Sequence, residues 1–389
     1  MKRFSTRSII SIIAILLILA MLIIYLTSGT SLISNSTKNN IINVDNLASK
    51  YTHYSQGVVG YGLYSIKHKQ TYGTLVPSNT VGIYQVVTNA MFGCVNISSI
   101  SSYVSHHSQV SSKYSASLQF NLNLVLNTTT NTPYTYWLQD VMVLNTSAEK
   151  YLMIDSITNT SNTNNPQIST STVKGNGDPT SLEIITGNAT TYANNLTYTM
   201  PSYEYIVGRN ERLGLDNLSA AKPTDYVLPM EYCPVINVNT SGRYPVVQFG
   251  YYINNTGIFY DNVTFLVPSK SVHLLVTPLK IVPNGKSLYD AEFVFGGPVN
   301  GDNATFTNIN ASQMWMFYDS NGSFEPFPSL YSSAWNTNER ATNLEVSQGN
   351  TGYAEVKIGQ DNLFSDMILN NSTYPLSSYS NVKAWIKKS

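Results

Sequence analysis

Charge, cysteine and histidine are scarce in this sequence, and each shortage removes a class of chemistry. Of 389 residues 11% are charged, 22 Lys+Arg against 22 Asp+Glu, so the formal net charge is zero. An ordinary soluble domain carries roughly 25% charged residues. The balance leaves no basic field for nucleic acid and no acidic tail. Two cysteines, Cys94 and Cys233, are too few for a disulfide scaffold or a thiolate metal site. Two outcomes stay open for them, a single bridge or a pair of buried thiols. The five histidines (His53, His68, His106, His107 and His273) lack ligand spacing apart from the adjacent pair, which in a Ser-rich segment reads as a solvated turn. HExxH and GxSxG are both missing, and Asn284-Gly285-Lys286-Ser287 has only the tail of a phosphate-binding loop, with Lys280 where its first Gly would stand. The expectation is a protein without metal or cofactor.

Asn, Ser, Thr and 28 Tyr take the place of the missing charge, and 42% apolar residues suffice for a large core. Disorder is not expected. Few bases also means little self-repulsion once the carboxylates are protonated, so the composition suits an acidic medium.

Residues 9–26 (IISIIAILLILAMLIIYL) contain no charge, Pro or Gly and follow Lys2, Arg3 and Arg7. At 1.5 Å per residue this run nearly matches a hydrocarbon core of about 30 Å, longer than a usual cleaved leader. The expectation is a transmembrane anchor, with a signal sequence as the alternative, a cytoplasmic tail over residues 1–8 and everything beyond outside the cell. Residues 27–50 read as a polar stalk. Asn-x-Ser/Thr sites recur beyond it, among them Asn96, Asn127, Asn188, Asn239 and Asn303, as on a glycosylated surface protein.

Strand signals dominate from Tyr51. In residues 115–126, Ala116, Leu118, Phe120, Leu122 and Leu124 alternate with Ser117, Gln119, Asn121 and Asn123, a period of two with one buried face. A Thr/Asn/Pro-rich turn then leads into residues 134–144, which predicts a hairpin. Further short runs lie near 244–253, 258–267, 272–276 and 290–295. Helical patterns are few, with candidates at 90–103 and 148–154, and residues 160–179 have loop composition. The fold expected is all-β, an antiparallel sandwich of jelly-roll type, with a body over 51–298 and a β-rich C-terminal portion of the same domain over 299–389.

Imidazole is already protonated in acid, so carboxylates are the bases left. Two segments carry them on strands. In residues 289–295, Tyr289, Ala291, Phe293 and Phe295 form one face and Asp290 and Glu292 share the other, close enough for one carboxyl to raise the other's pKa. The plain alternative is a solvated outer face. In residues 134–141, Gln139 follows Trp137 on one face while Asp140 follows Leu138 on the other, and register decides which reaches a cleft.

Around these segments the sequence resembles the thermopsin family of archaeal acid proteases. The similarity runs through Tyr61-Gly62-Leu63-Tyr64, Val87-Thr88-Asn89-Ala90-Met91-Phe92-Gly93, Tyr114-Ser115-Ala116-Ser117-Leu118-Gln119-Phe120-Asn121 and Tyr136-Trp137-Leu138-Gln139-Asp140-Val141. It resumes at Tyr289-Asp290-Ala291-Glu292 with Gly296-Gly297, and at Pro328-Ser329-Leu330-Tyr331. Pro298 and Val299 interrupt the Gly-rich run after Glu292, and residues 206–235 look inserted. The resemblance implies an extracellular acid endopeptidase acting on protein or peptide substrates. It leaves two mechanisms. In one, Asp140 shares a proton with Asp290 or Glu292. In the other, Glu292 acts as base and then acid while Gln139 orients the water, similar to the glutamic peptidases. Asp155 and Asp261 read as structural, and Trp137 as cleft floor or core. The competing class is a non-enzymatic surface module for adhesion or S-layer association.

Overall fold

The computed structural model describes residues 56–60, 63–65, 81–83, 86–106, 114–128, 133–160, 173–175, 181–193, 196–208, 224–281, 288–298, 303–327, 331–333, 340–349, 353–360, 363–364 and 380–388. They form antiparallel β-sheets and one short helix, Ser380–Lys388, so the chain is all-β as its alternation predicts. The expected tail, membrane span and stalk (residues 1–50) lie outside the described residues, as do 161–172 and 176–180 of the expected excursion and 209–223 of the apparent insertion. Among the described residues no helix is long and apolar enough to cross a membrane.

The larger sheet has Tyr134–Asn145 and Ala116–Thr128 at its middle. Lys150–Asn159 and Leu196–Gly208 follow on one side, and Ala291–Gly296 and Gln56–Gly60 on the other. The second sheet is centred on Ala90–His106, between Asn303–Ser320 and the run Met230–Asn239, Val246–Ile253, Thr256–Phe265. The described pairings are antiparallel except that of residues 303–305 with 340–342.

The expected hairpin forms in the phase read from its alternation. Leu118, Phe120, Leu122 and Leu124 are fully buried and join Leu138 and Met142 in one apolar core with Phe92, Val235, Phe249 and Val263 of the second sheet. Rings from the two sheets meet directly: Tyr136 with Phe265 at 4.9 Å and Phe295 with Phe306 at 5.8 Å. Gly93 permits a close approach, because a Cβ there would stand 2.8 Å from the Phe293 ring. That contact ties the Glu292 strand to the second sheet.

Three local expectations are corrected. Residues 90–103 belong to a 17-residue strand, Ala90–His106. Residues 90–95 are buried on both faces, so the two-residue period is lost and the apolar spacing imitates a helix. Residues 148–154 comprise a turn, with Glu149 at φ 52°, and the strand Lys150–Asn159. Tyr289 does not share a face with Ala291, Phe293 and Phe295. It packs on Val125 and Leu275 in a separate cluster, because the chain breaks between strands at Asp290.

Cys94 and Cys233 meet across neighbouring strands and form a disulfide, with Cα atoms 4.2 Å apart and both residues fully buried. The cysteines are 139 residues apart in sequence, and a loop that long restricts the unfolded chain by about 5 kcal/mol in the chain-entropy account. The double substitution Cys94→Ala, Cys233→Ala is expected to lower the unfolding free energy by 3 to 5 kcal/mol, roughly, in denaturant titrations. Equal stability of the two proteins would contradict the bridge. The terminal helix docks through Val382, Ile386 and Trp385, whose ring stacks on Phe259 at 5.0 Å.

Candidate functional site

Strand register sorts the candidate side chains onto two faces of the larger sheet. One row crosses it as Glu292, Asn121, Gln139 and Ser156, each directly opposite the next. The row beside it is Phe293, Phe120, Asp140 and Asp155. Adjacent rows point to opposite faces. Phe120 and Phe293 belong to the core between the sheets, so Asp140 and Asp155 point into that core while Glu292 and Gln139 point away from it.

On the outer face a chain of amides links the two ends of the first row. Asn121 Nδ2 donates to Glu292 Oε2 at 3.2 Å and, at 3.5 Å, to Gln119 Oε1. Gln139 Nε2 donates to the same Gln119 oxygen at 3.1 Å. Gln119 Nε2 in turn donates to Ser117 Oγ at 3.0 Å, and Ser117 donates to the Gly297 carbonyl at 2.6 Å. Glu292 is fully buried, Asn121 and Gln119 nearly so, and Gln139 and Trp137 are half-buried. The network thus runs from a buried carboxyl to a glutamine that reaches solvent.

Asp290 lies at the chain break beside this row and is also fully buried. Its carbonyl accepts a hydrogen bond from Asn123 Nδ2 at 2.9 Å. Here the strand Ala116–Thr128 changes partner, from Ala291–Gly296 along residues 117–121 to Ser269–Ile281 along residues 124–128. The sheet splits there, and Asp290 with Asn123 closes the split.

A second group of acids lies between the sheets. The ladder between Val246–Ile253 and Thr256–Phe265 slips at Phe249/Gly250, leaving Tyr260 as an extra residue, and Tyr260 and Asp261 are both buried. Such a bulge re-aims a side chain. Tyr260 donates from its hydroxyl to Asp140 Oδ1 at 3.3 Å. Burial pushes the Asp140 carboxyl well above the usual carboxylate range, against the opposing pull of Tyr260 and the backbone amides of Gly250 and Val235. Asp155 is likewise pushed well up, first by burial, then by the charge of Asp261 beside it, by their hydrogen bond and by Asp140, with Tyr260 opposing. Tyr260 and Tyr232 are raised as well, by burial first and then by Asp140. The group therefore holds its protons tightly.

The structure brings Glu292 and Gln139 together through Asn121 and Gln119, places Asp290 beside them, and does not bring Asp140 to any of the three. The pairing of Asp140 with Asp290 or Glu292 is corrected for one reason: Asp140 is in phase with Leu138 and Met142, which face the core. Asn121, Gln119 and Ser117 were legible only as the polar half of an alternating strand. Among the described residues no group of three or more His, Cys, Asp or Glu side chains is arranged to hold a metal ion.

Comparison with known proteins adds to this geometry. A family model described as Thermopsin matches residues 50–211 and 217–344. The chain is 29% identical to thermopsin of Sulfolobus acidocaldarius over 296 residues, which covers 76% of this chain and 76% of that protein.

Proposed function

The chain belongs to the thermopsin family, a family of proteases, and from that premise we propose that it is an acid endopeptidase whose base is Glu292. Ionised Glu292 takes a proton from a water, whose oxygen attacks the scissile carbonyl carbon. The protonated carboxyl then delivers that proton to the leaving amine as the C–N bond breaks. Gln139 has two N–H donors, one engaged by Gln119, and the other polarises the carbonyl and steadies the oxyanion. Glu292 and Gln139 lie two strands apart, about 9.6 Å at ordinary sheet spacing. The Asn121 side chain stands between them and hydrogen-bonds to Glu292.

The observation that carries this reading is the hydrogen-bonded row from Glu292 to Gln139. The substrates proposed are proteins outside the cell, reached by an ectodomain behind the apolar segment 9–26. The basic residues before that segment and the Cys94–Cys233 bridge both fit an external, oxidising location. The full-length chain, purified in detergent, is expected to cleave a quenched-fluorescence peptide library between about pH 2 and pH 5, where carboxyl groups titrate. A preparation that is folded and silent throughout that range would leave the reading of a non-enzymatic surface module.

A further inference from the structure

The mechanism above needs Glu292 ionised in a medium acidic enough to protonate most carboxyl groups, although the side chain is fully buried. Burial alone would favour the protonated form. Something must therefore stabilise the charge, and an amide donates to its carboxyl: Asn121 Nδ2 lies 3.2 Å from Oε2. Asn121 stands directly opposite Glu292 on the neighbouring strand and directly opposite Gln139 on the other side, with 1% of its surface exposed. The same nitrogen also approaches Gln119 Oε1, which receives Gln139 Nε2 at 3.1 Å. One rigid strand, anchored at Ser117 to the Gly297 carbonyl, thus sets the aim of both ends of the site.

We infer that Asn121 is a positioning residue for the reaction: its amide holds Glu292 in its charged, correctly aimed form, and Gln119 extends that hold to Gln139. The inference rests on Glu292 being the base. A nitrogen donor to a carboxylate favours the ionised state, and a neutral donor of this kind is indifferent to pH in acid, where a second carboxylate would change state. The amide thus does what a second carboxyl cannot do steadily at low pH.

The test is the pH profile of kcat/KM for the full-length chain on one cleaved peptide. Asn121→Ala is expected to lower kcat by about 10- to 100-fold with KM changed less than about threefold. Its acidic limb should move to higher pH, because the base then protonates more readily. A purely packing role would lower the melting temperature and leave the limb in place, and that result overturns the inference. Should the alanine variant fail to fold, Asn121→Asp decides. Protonated, the introduced carboxyl still donates to Glu292, so activity persists at the acidic end and falls once it ionises, at lower pH than in the parent. A profile identical to the parent's would overturn the inference as well. Glu292→Gln is run alongside: if that variant keeps full activity, the assignment of the base fails, whereas a dead Glu292→Gln with an unshifted Asn121→Ala removes only the role of Asn121.

Discussion

Replacing Glu292 by Gln is expected to reduce kcat/KM by about 10³-fold or more while the protein stays folded. The substitution conserves size and leaves an oxygen to accept from Asn121 Nδ2, so the row of amides is undisturbed. What is removed is the ability to take and return a proton, worth about 10² to 10⁴ by itself. Gln139→Ala should cost about 10²- to 10³-fold, the range for one oxyanion donor. Asp140→Asn gives the contrast. Asp140 points into the core and meets Tyr260, so in acid this change is expected to leave kcat/KM within about threefold of the parent, since both forms are then neutral. Rates measured on proteins with matched circular dichroism decide. An active Glu292→Gln, or an Asp140→Asn that is folded and inactive in acid, would move the chemistry to the other face of the sheet.

The fold was legible where one face of a strand is apolar. Residues 115–126 predict their own phase, and the core holds Leu118, Phe120, Leu122 and Leu124 as that phase requires. Where both faces are covered the signal disappears, as in residues 90–95 and again at Ser117, Gln119, Asn121 and Asn123. Those four are 0%, 4%, 1% and 0% exposed, although the alternation alone reads as a solvated side. A clue did exist, since this polar half contains amides and a hydroxyl and no Lys, Arg, Asp or Glu, whereas solvated faces usually carry charge. The inward acids also leave a trace. Asp140 falls in step with Leu138 and Met142, and Asp155 with Tyr151, Met153 and Ile157, so each is a carboxyl written into an apolar stripe. Asp261 was hidden because the bulge at Tyr260 shifts the phase of its strand, and a bulge is set by backbone pairing that sequence spacing does not encode. The disulfide was open for the same reason: two cysteines far apart in sequence become neighbours only once the register is known.

Stability is expected to be highest in acid and to fall as the solution approaches neutrality, with the melting temperature dropping on the order of 10 °C between about pH 3 and pH 7. The cause is the group between the sheets. Asp140 and Asp155 have folded-state pKa values raised well above the ordinary one, chiefly by burial. An acid raised in this way binds more protons folded than unfolded once pH exceeds its unfolded value near 4, so its stabilising contribution is complete below that point. It is then lost as pH climbs from there toward the folded pKa. Besides burial, Tyr260 and the backbone amides of Gly250 and Val235 act on Asp140, and Asp261, Asp140 and Tyr260 act on Asp155, while Tyr232 and Tyr260 are raised by burial first and then by Asp140. Among the described residues no Lys, Arg or His acts on either carboxyl to hold the ionised form. In the other direction acid removes little, since the ion pairs of the described residues are Lys150–Asp225 and Lys357–Glu355, neither of them fully buried. Such surface pairs are worth about 0 to 1 kcal/mol each. Asp155→Asn keeps the shape and takes away one titration, and should therefore melt close to the parent at pH 3 and above it at pH 7, with a shallower slope between. Scanning calorimetry across that range provides the check. A parent that melts higher at pH 7 than at pH 3, or an Asp155→Asn slope as steep as the parent's, would show that these carboxyls give up their protons in the folded protein as easily as in the unfolded chain.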